Sequence, residues 1–150
     1  MKEYTSGSYD ETLAIAEGLA AELTQPTVIG YIGDLGAGKT AFTTGFIKGL
    51  GIDAPVSSPT FALCNEYIGE HCRAYHFDMY RIASWDDLYT SGYLDYLDTG
   101  AYILVEWSEN IYGALPEDAV IIRILKTGEN SRRITVMNKE EARIELGIID

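Results

Sequence analysis

Cysteine and histidine are scarce in this chain: Cys64, Cys72, His71 and His76 are all that its 150 residues contain. The two thiols form no C-x-x-C, and no zinc-type spacing can be assembled from the four residues. A structural zinc site is thereby excluded, as is a disulfide-stapled secreted scaffold. A reduced thiol pair in a cytoplasmic protein is the expectation. Long apolar runs are missing as well. The longest uncharged stretch is Ala54–Asn65, and Met1-Lys2-Glu3-Tyr4 has no apolar segment after its positive charge, so neither a membrane span nor a signal peptide is expected. Positive charge is the third shortage. Eleven Lys and Arg against 23 Asp and Glu give a net charge of −12 and a pI near 4.4, the opposite of the basic footprint with which a protein neutralises phosphates along a nucleic acid. Dealings with DNA or RNA are expected to pass through a partner. Between Leu50 and Val120 there are twelve acids and only two bases, Arg73 and Arg81, whereas Arg123, Lys126, Arg132, Arg133, Lys139 and Arg143 crowd the end and read as a solvated sheet face.

What is present suits one compact domain over residues 1–150. The chain is 47% hydrophobic, long enough for a core without staples, and carries no repeat or linker-like tract. Ser8 and Glu11 make a capping box ahead of Leu13, Ala16, Leu19, Ala20 and Leu23, predicting a helix over about 9–23, before Pro26. Val28–Ile32 reads as a strand buried on both faces. Lys39–Leu50, with Phe42, Phe46 and Leu50 at four-residue spacing and Gly51 behind it, reads as a helix. Alternation over Phe61–Ile68 and Arg73–Met79 predicts a hairpin, its second strand half-buried. Short helices are expected from Ser84 and near Tyr93–Leu97, strands at Ala101–Glu106, Ala119–Leu125 and Arg132–Met137, and a final helix capped by Asn138 and Glu141. The mixture implies a three-layer α/β domain with a mixed, mainly parallel sheet.

The sharpest local signal is Gly33-Asp34-Leu35-Gly36-Ala37-Gly38-Lys39-Thr40, a complete G-x-x-x-x-G-K-[ST] between an apolar strand and an amphipathic helix, which makes the domain P-loop NTPase-like. Glycines let backbone N–H groups turn inward onto phosphate oxygens, and the helix N-terminus adds its positive dipole end. Lys39 reaches the β- and γ-phosphates of a nucleotide, and the Thr40 hydroxyl binds Mg²⁺. A phosphate site needs acids behind it, and two strand ends supply them. Tyr102–Glu106 delivers Glu106, the first choice for the metal, and Tyr75–Asp78 delivers Asp78, for a metal-bound or attacking water. Ser57-Ser58-Pro59-Thr60-Phe61 reads equally as a γ-phosphate-sensing loop and as a plain turn. His76, in an alternating strand, reads as a hydrogen-bonded structural residue rather than a base.

Taken in order, GDLGAGKT, SSPTF, YHFDMYR and LVEW resemble the TsaE family, also called YjeE, the small ATPases of bacterial tRNA threonylcarbamoyladenosine biosynthesis. The phosphate loop is common to many NTPases, whereas S-P-T-[FY], H-F-D-x-Y-R and E-W at these spacings are specific to that family. Carried over position by position, the resemblance implies that Lys39 and Thr40 bind ATP and Mg²⁺, Thr60 lies in a switch-like loop, Asp78 supports catalysis, Glu106 ligates the metal and Trp107 lies beside the nucleotide. It also implies two partner proteins, TsaD and TsaB, with ATP hydrolysis resetting their complex between turnovers; the acidity of the chain adds the expectation that tRNA is engaged by the assembly, not by this chain alone. It assigns no residue to the base.

Two other readings stand beside that one. A small-metabolite or nucleoside kinase would share the loop and Mg²⁺ but needs a basic lid, for which only Arg73 and Arg81 are at hand between Leu50 and Val120. A nucleotide-sensing module with incidental hydrolysis would need the same motif. A GTPase is excluded, since no aspartate has glycine three residues later. Eight of the eleven tyrosines and both tryptophans fall between Tyr67 and Tyr112, and Trp85, Leu88 and Tyr89 would share one face of a short helix, a possible anchor for a basic partner surface.

Overall fold

A computed structural model describes residues 1–32, 38–57 and 64–148. Its seven strands are β1 (Lys2–Ser6), β2 (Val28–Ile32), β3 (Cys64–Ile68), β4 (Arg73–Asp78), β5 (Tyr102–Glu106), β6 (Val120–Lys126) and β7 (Arg132–Asn138), and they form one sheet in the order β1-β7-β6-β2-β5-β4-β3. The central four, β6, β2, β5 and β4, are mutually parallel; β3 and β7 run against their neighbours, and β1 returns to the common direction. The expected mixed, mainly parallel sheet is therefore present.

Helices α1 (Tyr9–Glu22) and α2 (Lys39–Gly49) cover one face, and α3 (Trp85–Ser91), α4 (Tyr93–Tyr96), a 3-10 segment (Ser108–Ala114) and α5 (Lys139–Leu146) the other. Ser8 caps α1 by accepting from the Glu11 N–H at 3.1 Å, while the Glu11 carboxylate reaches back to the Gly7 N–H at 2.9 Å, one residue earlier than the reciprocal bond of a capping box. Behind α2, the Gly51 N–H donates to the Lys48 carbonyl and the Ile52 N–H to the Ile47 carbonyl, a Schellman closure. At α5 the predicted capping box is complete in both directions.

Side-chain alternation along the strands decides what each face receives. Ile29 and Tyr31 of β2, Ala74 of β4, and Tyr102 and Leu104 of β5 pack toward α1 and α2. Val28, Tyr75, Phe77, Ile103 and Val105 pack toward the other layer. The same parity puts His76, Asp78 and Glu106 on the α2 side. Strand β4 departs from its half-buried expectation: Ala74–Phe77 are all buried, because β5 pairs on one side, β3 on the other, and helices cover both faces. Two elements escaped the sequence reading, β1 and the 3-10 segment. The first is an exposed edge strand, Lys-Glu-Tyr-Thr-Ser, without an apolar face to betray it.

Gly30 lets the 3-10 segment approach the sheet. A Cβ there would lie 2.8 Å from Ser108 Oγ and 2.9 Å from Ser108 Cβ, and Ser108 Oγ instead donates to the Tyr31 carbonyl at 3.0 Å. Gly30→Ala should accordingly lower unfolding free energy by about 1–3 kcal/mol, read as a fall in denaturant midpoint at unchanged m-value. Adding Ser108→Gly should cost less than the two single changes summed. A Gly30→Ala protein as stable as wild type would show that this packing is looser than described.

Candidate functional site

Strands β4 and β5 are parallel and in register, with Asp78 opposite Glu106. Two carboxylates thus emerge side by side at the C-terminal end of the parallel strands, where open α/β sheets receive ligands. Helix α2 starts at the same end and brings Lys39, whose ammonium lies 3.8 Å from Glu106 Oε1; His76 Nε2 lies 2.7 Å from Glu106 Oε2. Lys39, His76 and Glu106 are all at least nine-tenths buried. Burial alone would raise the Glu106 pKa, but the close approach of His76 and the charge of Lys39 outweigh it and hold the carboxyl below its ordinary value. Glu106 is an anion at neutral pH with a cation at its side. Under it, Thr43 donates to the buried Tyr31 hydroxyl at 3.0 Å, and burial pushes that phenol well above its ordinary pKa.

Trp107 follows Glu106 with φ 58 and ψ 42, the one non-glycine in the left-handed region among the described residues. That conformation costs on the order of 1–2 kcal/mol, and strain of this kind gathers at functional sites. Its effect is to turn the chain so that the indole lies under the Lys39 ammonium, 4.9 Å from the ring centroid, with Tyr80 packed at 4.9 Å. Asp78 Oδ1 accepts from the Tyr80 N–H at 2.9 Å, and Asn110 donates to the Met79 carbonyl at 2.9 Å, fixing the turn behind β4.

Most of the predicted site therefore assembles: Gly38, Lys39, Asp78, Glu106 and Trp107 meet at one sheet end. Thr40, on the exposed side of the first α2 turn, starts from the same end. Gly33, Asp34, Leu35, Gly36, Ala37 and Thr60 lie outside the described residues. Two members were not anticipated. His76 is a direct partner of Glu106. Glu109 stands two residues beyond Trp107, where its Oε1 is sealed from solvent and has no hydrogen-bond partner, with the Lys39 charge acting on it. Only the reversal at Trp107 aims Glu109 back, and no spacing rule announces that. The expected solvated basic face is also corrected: Lys139 is buried and donates to the Leu115 carbonyl at 2.8 Å, and Arg132 is half-buried. Of the anticipated aromatic face, Leu88 turns into the core while Trp85 and Tyr89 are exposed, because α3 must bury one side against the sheet.

Carboxylates, a buried lysine and a helix start are groups that would suit a nucleoside triphosphate with its Mg²⁺. No three His, Cys, Asp or Glu side chains group as a metal site among the described residues. The family model of "Threonylcarbamoyl adenosine biosynthesis protein TsaE" matches residues 6–134. The chain belongs to the TsaE family. A TsaE protein of Bacillus subtilis is 41% identical over 126 residues, 84% of this chain and 78% of that protein. One from Haemophilus influenzae is 42% identical over 102 residues, 67% of this chain and 65% of its own length. The crystal structure of Bacillus subtilis YdiB superposes with a TM-score of 0.72 at 35% identity, covering 97% of this chain and 93% of that one. The three-layer fold is thus shared with a solved protein, and no described helix in this TsaE chain is long and apolar enough to cross a membrane.

Glu109 gives a test of the site's electrostatics. Burial raises its pKa while Lys39 pulls the other way, and the net shift is upward. A carboxylate raised in the folded state opposes folding at pH values above its folded pKa, and that opposition disappears below its unfolded pKa. Glu109→Gln should therefore raise the melting temperature at pH 7, with the gain shrinking as pH falls through the ordinary carboxylate range. A gain that is absent at pH 7, or that grows on acidification, would contradict the placement of this side chain.

Proposed function

We propose that this chain binds and hydrolyses Mg-ATP as the ATPase subunit of the tRNA threonylcarbamoyladenosine machinery, resetting a TsaD and TsaB complex between turnovers. The observation that carries it is the buried Lys39–Glu106 pair beside Asp78, at the C-terminal end of parallel strands, in a chain whose sequence holds a complete G-x-x-x-x-G-K-T. A buried ion pair is costly unless each charge stays satisfied. Here Lys39 can exchange the Glu106 carboxylate and the Trp107 face for phosphate oxygens, which releases Glu106 toward a cation. Thr40 and Glu106 would hold Mg²⁺, with Asp78 reaching it directly or through a water. The metal, when bound, neutralises phosphate charge during transfer.

The remaining residues position and exclude. His76 fixes the Glu106 carboxylate from the side away from Lys39, so one oxygen faces the site. Asp78 uses one oxygen to hold the turn at Tyr80 and keeps the other for orienting water. Trp107 lies against the buried lysine, with Tyr80 packed on the indole, and the exclusion of water around Lys39 strengthens the charge interactions there. Thr60, by the family resemblance, would sense the terminal phosphate. The strong acidity of the chain supports a protein-mediated approach to tRNA, and the isolated subunit should show no useful tRNA affinity in moderate salt.

Phosphate release and Trp107 emission in a Trp85→Phe background report turnover and binding separately. Lys39→Ala should weaken Mg-ATP binding by about 10–100-fold, the loss of a charge-assisted contact. Glu106→Gln should raise the Mg²⁺ requirement about tenfold or more, and Asp78→Asn should lower turnover about 100-fold at saturating Mg²⁺. With TsaD and TsaB present, Lys39→Ala should stop multiple turnover of tRNA modification. Wild-type ATP turnover by Lys39→Ala would overturn the phosphate-site assignment, and a larger Mg²⁺ effect from Asp78→Asn would exchange the roles of the two acids.

A further inference from the structure

From Ile82 to Ile122 the sequence holds eight acids and no lysine, arginine or histidine. The same segment carries two large rings that the fold does not bury. Trp85 is 62% and Tyr89 65% exposed, their centroids 6.5 Å apart along α3, while Leu88 between them turns inward. Single apolar side chains scattered over a surface are ordinary, but a paired Trp and Tyr whose first ring lines a groove is the composition of an interface anchor.

The groove has a volume of about 460 Å³ and runs between the turn leading into α3, which contributes Ile82, Trp85 and Leu88, and the 3-10 segment, which contributes Glu109, Ile111 and Gly113. Both walls are tied in place. The Ser84 hydroxyl accepts from the Asp87 N–H and the Asp87 carboxylate from the Ala83 N–H, each at 3.1 Å. Across the groove, Asn110 donates to the Met79 carbonyl at 2.9 Å and the Tyr93 hydroxyl to the Ala114 carbonyl at 3.1 Å. A groove formed before its ligand arrives loses little affinity to ordering. Glu109 is the one charged residue in the lining, and its Oε1 has no hydrogen-bond partner. A carboxylate so placed gains from a donor brought in with the ligand, and the face of Trp85 suits an ammonium or guanidinium packed against it. The rest of the lining is mostly apolar, which suits a cation carried on a polypeptide better than a free ion.

We propose that this groove docks a basic segment of a partner protein, with a lysine or arginine side chain entering toward Glu109 across the face of Trp85 and apolar neighbours covering Tyr89. The identity of the partner, the TsaD and TsaB complex, rests on the function proposed above, and the test separates the two. Purified TsaD–TsaB complex is titrated into the full chain at low and at high salt, for wild type, Trp85→Ala, Ala83→Lys and Gly113→Gln, and Mg-ATP turnover of each isolated variant is followed in parallel. Ala83→Lys adds a cation to the groove. Gly113→Gln fills it at a position where a Cβ meets nothing within 4 Å. Trp85→Ala should weaken binding of the complex about 10–100-fold, and Ala83→Lys and Gly113→Gln about tenfold or more, with isolated turnover unchanged in all three and wild-type affinity falling as salt rises. Wild-type affinity in Ala83→Lys and Gly113→Gln overturns the docking site, and these two decide alone if Trp85→Ala melts early. Losses in Trp85→Ala and Gly113→Gln, with neither salt nor Ala83→Lys having an effect, overturn the cationic occupant. A wild-type chain that ignores the TsaD–TsaB complex removes the partner reading and the docking site together, whereas normal wild-type binding with unaffected groove variants removes the docking site only.

Discussion

A single buried contact organises this molecule, the approach of the Lys39 ammonium to the Glu106 carboxylate in a space that excludes most water. Neither charge is tolerable there alone, since removing one partner of a buried pair typically costs 3–5 kcal/mol. Everything around the pair serves to satisfy both ends. His76 takes the second Glu106 oxygen, Trp107 adopts a disfavoured backbone conformation to put its ring under Lys39, and Gly30 lets Ser108 anchor the chain directly after that reversal. On the proposed reading, Lys39 would exchange the carboxylate for the oxygens of a polyphosphate.

The anionic ligand proposed for this acidic chain is less odd than its net charge suggests. Screening confines the influence of surface carboxylates to about 8–10 Å at physiological salt, whereas Lys39 and the N-terminus of α2 act at contact distance. Local positive character decides phosphate binding; the global negative charge decides which macromolecules can approach.

Much of the fold was legible because its determinants are local. Caps at Ser8, Ser84 and Asn138, apolar alternation and the glycine-lysine motif located most elements and the two acids. Other features depend on what packs against what. The edge strand β1 pairs with β7 without an apolar stripe of its own, so no periodicity marks it. The burial of His76 follows from β3 and β5 flanking β4, and its partnership with Glu106 from a register that the sequence does not state. Glu109 reaches the site through a left-handed residue, invisible to spacing. Leu88 shows the reverse failure: the helical face was read correctly, but which part of it would be buried depended on the sheet beneath.

The exchange of partners at Lys39 is most directly tested by a crystal structure of the chain with Mn²⁺ and a non-hydrolysable ATP analogue, using the anomalous signal to locate the metal. The account predicts Mn²⁺ within bonding distance of Glu106, with the Lys39 ammonium moved from that carboxylate onto phosphate oxygens. A nucleotide bound with the Lys39–Glu106 contact intact, or a metal bound away from the ends of β4 and β5, would contradict it.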